Sequence, residues 1–290
     1  MRSPAVEQLT ISLKTPAGEL STAIDVPTGF VPITSIVPLL QKLDDAAQSL
    51  EEDEALAGGL KISCVKGCAA CCRMLVPVSA PEALALRNMI DSLPEERRRS
   101  IQTRLADSHA RLQQRGLLDR LMDLAESNRP LSDADMEPIN HEYYALRMAC
   151  PFLENETCSI YEYRPSACRE LLVTSAPELC QDLARNPVQP LPVSIRMSTA
   201  LALLWAELTG TGERLIPLPI ALDWANRHMD DNTARYTGMA LLEQAFDKIG
   251  RFLSHEFDVR RSKSEVDGSS FQLRASNSSH LLPENNKEEK

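Results

Sequence analysis

Aromatic residues are scarce, at 4% of the 290 positions, and acidic residues outnumber basic ones to leave a net charge of −10. Few rings and an acidic balance take away the stacking platforms and basic faces that nucleic-acid binding needs. No nucleic-acid partner is expected. Long apolar runs are also missing. The best candidate, Ala200 to Leu208, is interrupted by Glu207, and it falls short of the roughly 18–20 residues of a membrane span. The first residues, Met1 to Gln8, lack the apolar core of a secretory signal. The expectation is a cytoplasmic protein with no membrane contact. Glycine is sparse, 11 in all, and no Gly-rich strand–turn–helix signature for a nucleotide or methyl donor is visible. Gly210-Thr-Gly212 reads as an inter-helix turn.

Cysteine is absent before Cys64 and after Cys180, yet eight lie between those positions. A chain of this length can bury a core large enough to fold without disulfides. In a reducing compartment, clustered cysteines point to metal ligation. The first cluster is Cys64-Val-Lys-Gly-Cys68-Ala-Ala-Cys71-Cys72. The second holds Cys150-Pro-Phe-Leu, Cys158-Ser-Ile-Tyr-Glu-Tyr-Arg-Pro-Ser-Ala-Cys168-Arg, and a trailing Cys180. Spacings of two and three residues let neighbouring thiolates converge on one ion or cluster. Gly67 frees the backbone between two ligands, while Pro151 and Pro165 stiffen the ligand loops. The adjacent pair Cys71-Cys72 diverges by about 100° even on a helix, so the two do not readily serve one tetrahedral ion. Two sites sharing eight ligands, one binuclear centre, or one four-cysteine site with spare redox-active thiols all meet that condition. An eleven-residue similarity relates Cys72–Glu82 to Cys168–Glu178 and suggests a pseudo-symmetric pair of knuckles. Arg73 and Arg169, each just after a cysteine, either offset thiolate charge or are ordinary surface arginines.

Around these clusters the pattern predicts a mainly α fold with minor β. Leu9, Ile11 and Leu13 alternate with polar residues, Pro16-Ala17-Gly18 turns, and Leu20 to Val26 returns as a hairpin. A helix capped by Ser35, with Pro38 in its first turn, carries Ile36, Leu39, Leu40, Leu43, Ala47 and Leu50 on one face and stops at Gly58-Gly59. The acidic run Glu51–Glu54 reads as its solvated face. A helical insert follows the first cluster, with capping-box patterns at Ser79/Glu82 and Ser92/Glu95. Its Arg97-Arg98-Arg99 run reads as solvated and balanced by Glu95 and Glu96. Gly116 breaks the insert, a short helix covers 117–125, and Asn128 to Pro138 reads as polar loop. Helices near 194–208, 217–229 and 232–253 form the C-terminal part, where Tyr236, Met239, Ala240, Phe246, Ile249 and Phe252 read as core. The divisions expected are 1–59 for the hairpin and helix, 60–185 for an irregular metal-clamped cysteine region with its insert, 186–254 for C-terminal helices, and 255–290 for a disordered tail.

The order and spacing Cys-x3-Cys-x2-Cys-Cys, Cys-Pro-Phe-Leu, Cys-x-Ile-Tyr-x-x-Arg-Pro-x-x-Cys-Arg and a last cysteine resembles the YkgJ-type cysteine-cluster family, over about 60–181. The resemblance implies a zinc- or iron-chelating domain. It carries all eight ligand positions onto Cys64, Cys68, Cys71, Cys72, Cys150, Cys158, Cys168 and Cys180. The flagellin lysine N-methylases are similar in their cysteine cluster and use S-adenosylmethionine.

Three function classes follow. The first is a metal-binding protein holding an iron–sulfur cluster or zinc, with the adjacent pair and eight thiols favouring a compact multi-metal site. A structural-zinc adaptor for a protein partner is its close neighbour. The second is an S-adenosylmethionine-dependent methyltransferase. The Cys64-x3-Cys68-x2-Cys71 spacing is that of radical enzymes using the same donor, but Ala70 replaces the aromatic residue usual there, and no alternation of β and α segments suggests a barrel. The third is a cysteine nucleophile assisted by a histidine. His141, nine residues before Cys150, is the candidate in sequence, with His109 on the insert. Tyr161 and Tyr163 are expected to pack against the cluster.

Overall fold

The computed structural model describes residues 5–65, 67–127, 133–182, 186–253 and 258–261. The N-terminal hairpin forms as its alternation requires. Strand β1 (Val6–Thr15) pairs antiparallel with β2 (Gly18–Pro27), and Thr15 faces Gly18 across the turn. Leu9, Ile11, Leu13, Leu20, Ile24 and Val26 bury one face of the ribbon. That face packs on helix α1 (Val37–Ala57). Ser35 does not cap α1. A 3-10 turn over Ile33–Ile36 runs straight into the helix, so the first amides need no side-chain acceptor. The short strand β3 (Phe30–Val31) precedes that turn.

The insert leaves the first cysteine cluster through β4 (Pro77–Ser79) and enters α2 (Ala80–Ser92). Ser79 and Glu82 form the reciprocal capping box. The second predicted box does not form. The Ser92 hydroxyl donates to the Met89 carbonyl, and α3 (Glu95–Gln114) starts after Pro94, which has no side-chain acceptor. Gly116 adopts a left-handed φ of 65°, ending α3 before α4 (Leu118–Glu126). The stretch to Pro138, read as loop, belongs in part to α5 (Asp133–Ala145), which has Pro138 inside it. Ile139 and Tyr143 are buried on this helix, and that burial outweighs the proline.

The return through the second cysteine cluster uses a two-residue hairpin, β5 (Leu153–Glu154) with β6 (Thr157–Cys158), and the short helix α6 (Ser166–Glu170). The C-terminal part supplies α7 (Met197–Thr209), β7 (Leu215–Pro217), α8 (Ala221–Arg227), β8 (Tyr236–Thr237) and α9 (Gly238–Ile249). Two strand pairs join distant segments: β4 with β7 and β3 with β8. Both are too short for a period-two pattern to show in the sequence. In the tail expected to be disordered, β9 (Asp258–Arg261) adds to the open edge of β1; the rest of that tail lies outside the described residues.

One hydrophobic core runs from Leu9 in the hairpin through Leu84, Ile101 and Phe152 to Leu204, Phe246 and Leu253. Trp205 and Trp224 meet edge-to-face inside it, with ring centroids 6.3 Å apart. Gly238 opens α9 where the helix abuts the end of β2. A Cβ there would stand 2.1 Å from the Pro27 carbonyl oxygen. Gly238→Ala is therefore expected to cost about 1–3 kcal/mol through overpacking, read as a lower midpoint in thermal unfolding. An unchanged midpoint would mean that this approach can relax.

Candidate metal centre

The cysteines sit on short turns, a two-residue strand and the short helix α6 rather than on the long helices. Cys64 follows the end of α1 on an extended segment, where the Ser63 amide donates to the Val173 carbonyl at 2.9 Å. Gly67 takes a φ of 91°, open to a residue without a Cβ. Cys71 and Cys72 lie on a 3-10 turn. The Cys150 amide donates to the Cys72 carbonyl at 2.7 Å, joining the two clusters directly. Asn155 and Glu156, both at positive φ, make the turn that carries Cys158. Cys168 rides on α6, whose first amide, Ser166 N–H, donates to Glu82 Oε1 at 2.8 Å. Glu82 Oε2 accepts from the Ser79 amide at 2.8 Å and the Ser79 hydroxyl at 2.7 Å. One buried carboxylate thus caps α2 and α6 together.

The insert also braces the ligand loops. Arg97, Arg104 and Arg111 recur every seven residues on α3. They donate to the carbonyls of Ser159 at 3.1 Å, Pro151 at 2.6 Å and Leu146 at 3.2 Å. Arg104 adds Glu154 at 2.5 Å. Of the run read as solvated, Arg98 and Arg99 do pair with Glu95, while Arg97 turns to the cysteine loop. The seven-residue spacing of these arginines was a signal available in the sequence.

The eight thiols form two overlapping groups. Cys68, Cys71, Cys72, Cys150, Cys158 and Cys168 line one cavity of about 180 Å³, together with apolar side chains such as Leu75, Phe152 and Ile160. Cys180 packs with Ala70 and Val173, with Cys64 against them. Cys68 and Cys71 link the two: both line the cavity, and the charge of each bears on Cys64 and Cys180. Cys71 also bears on Cys150, Cys158 and Cys168.

Burial pushes Cys64, Cys158 and Cys180 up and Cys168 well up, and it pushes Cys150 up to about 12, with neighbouring cysteines adding to each shift. Cys150 and Cys168 keep some accessible surface because they face the cavity. The adjacent pair splits. A hydrogen bond from Cys72 lowers Cys71 to about 7, and the same bond raises Cys72. With the thiols free of metal, alkylation should therefore reach Cys71 first, its rate rising through about pH 7, with Cys72, Cys150 and Cys168 last. Peptide mass mapping checks this. Equal labelling of all eight would overturn it.

The arginine that faces the thiols is Arg164. Its charge lowers Cys71 and Cys158, it stacks 4.1 Å over the Tyr161 ring, and its Nε is buried without an acceptor. Arg73 and Arg169 are largely committed elsewhere. Arg73 pairs with Glu156 at 2.7 Å and feels Cys72 only as its weakest influence. Arg169 pairs with Asp45 at 2.6 Å. Tyr161 lines the cavity mouth, whereas Tyr163 is 59% exposed and lies on a neighbouring cleft. No described histidine lines the thiol cavity. His141 stands exposed, 3.9 Å from Glu137, and His109 bonds Asp223 at 3.2 Å and the Pro219 carbonyl at 2.8 Å.

The proposed knuckle symmetry holds in part. Both halves run from a short helical turn through an extended segment to a new helical start, and Cys72 senses Cys168. They diverge at the cap. Ser175 Oγ accepts from the Gln189 amide, so it does not repeat the bond Ser79 makes.

The donor set fits a thiophilic metal. Thiolates are soft ligands, the cavity is apolar, and the buried Arg164 donor suits an anionic centre. Among the described residues, no three or more His, Cys, Asp or Glu groups are already closed to ion-holding geometry. Ligation would draw the thiols inward.

Fold and site together define a thiol-rich chelating module clamped into a helical protein. Residues 63–181 match the model of the CxxCxxCC family, described as "Putative zinc- or iron-chelating domain". That is the family the cysteine spacing resembles, at nearly the same bounds. No curated protein and no solved structure matches the chain. Among the described residues, no helix is long and apolar enough to cross a membrane.

Proposed function

We propose that Cys64, Cys68, Cys71, Cys72, Cys150, Cys158, Cys168 and Cys180 together hold one iron–sulfur centre. The observation that carries this reading is the placement of six thiols around one apolar cavity, two of which, Cys68 and Cys71, also act on Cys64 and Cys180. Two separate four-thiolate zinc sites would leave each thiol with its own set; thiols shared between the groups suit a multi-metal cluster with bridging sulfur. The apolar cavity walls favour such a centre by limiting water. When bound, an iron–sulfur cluster supplies one-electron redox chemistry or a rigid staple. Arg164 would then donate to its sulfur shell, and the α3 arginines would hold the loops that present Cys150 and Cys158.

The test is purification of the full chain without oxygen, with iron, zinc and acid-labile sulfide counted per chain alongside the visible spectrum. Brown protein with matched iron and sulfide supports the proposal. Colourless protein holding zinc would sink it in favour of the structural-zinc reading. A metal-free chain equally stable in chelator would defeat both. A melting-temperature rise with S-adenosylmethionine in excess would favour the methyltransferase alternative.

A further inference from the structure

A second polar cluster lies behind α6. On a helix, residues two apart point to nearly opposite faces. Cys168 therefore faces the thiol cavity, and Glu170 turns towards α1 and α7. Glu170 Oε1 accepts from the first amide of α7, Met197 N–H, at 2.8 Å. Opposite it, Asp44 is 0% exposed, and neither of its carboxylate oxygens has a partner. Glu170 is the strongest charged influence on Asp44, ahead of Asp45 and Glu82. One turn along the same face of α1, Gln48 is 4% exposed with both amide atoms unpartnered. Ser198, the second residue of α7, is 4% exposed with its hydroxyl unpartnered.

A buried polar group without a partner is costly, and such groups are rare in native proteins. Burial, with Glu170 beside it, pushes Asp44 up to about 9, and burial pushes Glu170 up to about 7, so the pair must be neutralised either by protons or by a bound cation. Arg169 bears on Asp44, but its guanidinium is bonded to Asp45 and to the Arg164 and Glu162 carbonyls. Arg196 acts on Glu170 only as its weakest influence. Local cations therefore do not neutralise the pair. The unpartnered acceptors are carboxylate, amide and hydroxyl oxygens, the hard donor set of calcium and magnesium sites.

We propose that Asp44, Glu170, the Gln48 amide oxygen and the Ser198 hydroxyl hold a hard divalent cation, magnesium or calcium, at the junction of α1, α6 and α7. Only two carboxylates take part, which agrees with the lack of any group of three among the described residues; water completes the shell. The site stands apart from the thiol centre in ligand chemistry and does not depend on what the thiols hold.

The experiment uses the full chain as isolated, dialysed into metal-free buffer. Calcium and magnesium retained per chain are counted, and melting is followed while either ion is added back. Iron, zinc and sulfide are counted in the same samples, so failure here is distinguishable from failure at the thiols. The expected result is one hard ion per chain and a rise of about 5–10 °C at saturation. Both should be lost in Asp44→Asn and kept in Asp53→Asn, a surface change on the same helix. If Asp44→Asn does not fold, Glu170→Gln and the ion count of the unaltered chain decide. No retained ion and no shift would mean that protons and buried water satisfy these groups, and the proposal would be wrong. An equal response in the unaltered chain and Asp44→Asn would place the ion elsewhere and overturn it too.

Discussion

Glu82→Ala is expected to lower the stability of the chain by about 3–5 kcal/mol, a fall in melting temperature on the order of 10 °C. The side chain is 3% exposed and accepts three hydrogen bonds, from Ser79 N, Ser79 Oγ and Ser166 N. Alanine leaves all three donors buried and unpaired. Relief of the repulsion that Glu82 exerts on Asp44 returns part of the loss. Glu82→Gln is not conservative here. Each carboxylate oxygen serves a different amide, and glutamine has one acceptor oxygen, so its NH₂ would meet an N–H. Both variants should also weaken metal retention, because Ser166 begins the helix that carries Cys168. A variant that melts normally while losing metal would show that the carboxylate positions Cys168 without stabilising the fold.

Cys71→Ser should remove most of the bound metal, and Cys180→Ser much less. Cys71 lines the cavity and, with Cys68, also acts on Cys64 and Cys180, whereas Cys180 sits at the edge with Cys64. Serine is nearly isosteric but is a poor ligand for soft metals. Metal and sulfide per chain, measured for each variant prepared without oxygen, separate the two cases. Equal and partial losses would indicate independent sites and argue against a shared centre. Because ligation and folding are linked in thiolate sites, the Cys71→Ser chain is also expected to become the more sensitive to proteolysis between 60 and 181.

The cysteine cluster was legible because metal chemistry restricts residue type and spacing together, and six of its thiols do meet at one cavity. The hairpin was legible because Leu9, Ile11 and Leu13 alternate cleanly. What the sequence concealed was of two kinds. Short pairings such as Pro77–Ser79 with Leu215–Pro217 have no period of their own and depend on segments meeting in space. Polar residues with buried roles look the same in sequence as solvated ones. Glu51, read as part of a solvated face, is 4% exposed and bonds Ser194. Asp44 and Gln48 lie on the core face of a helix whose pattern named only its apolar residues. Arg164, inside the Arg-Pro of the cysteine motif, was passed over for Arg73 and Arg169, because adjacency to a cysteine in sequence says little about which guanidinium the turn aims at it.

The hydrogen bond from Cys150 N–H to the Cys72 carbonyl has an evolutionary consequence. The insert leaves the first cysteine cluster and rejoins the second at that bond, so it is an excursion closed at its base. Lengthening a loop whose ends are already pinned costs little entropy, about 0.6 kcal/mol for each doubling. Residues can accordingly be gained or lost in the turns far from the base without moving a thiol, provided Glu82 keeps its bonds to Ser79 and Ser166, the buried face of the insert keeps its place in the core, and the Arg97, Arg104 and Arg111 row keeps its register. Ligation of the thiols would hold the spacing within each cluster, while the distance between clusters can vary within those limits.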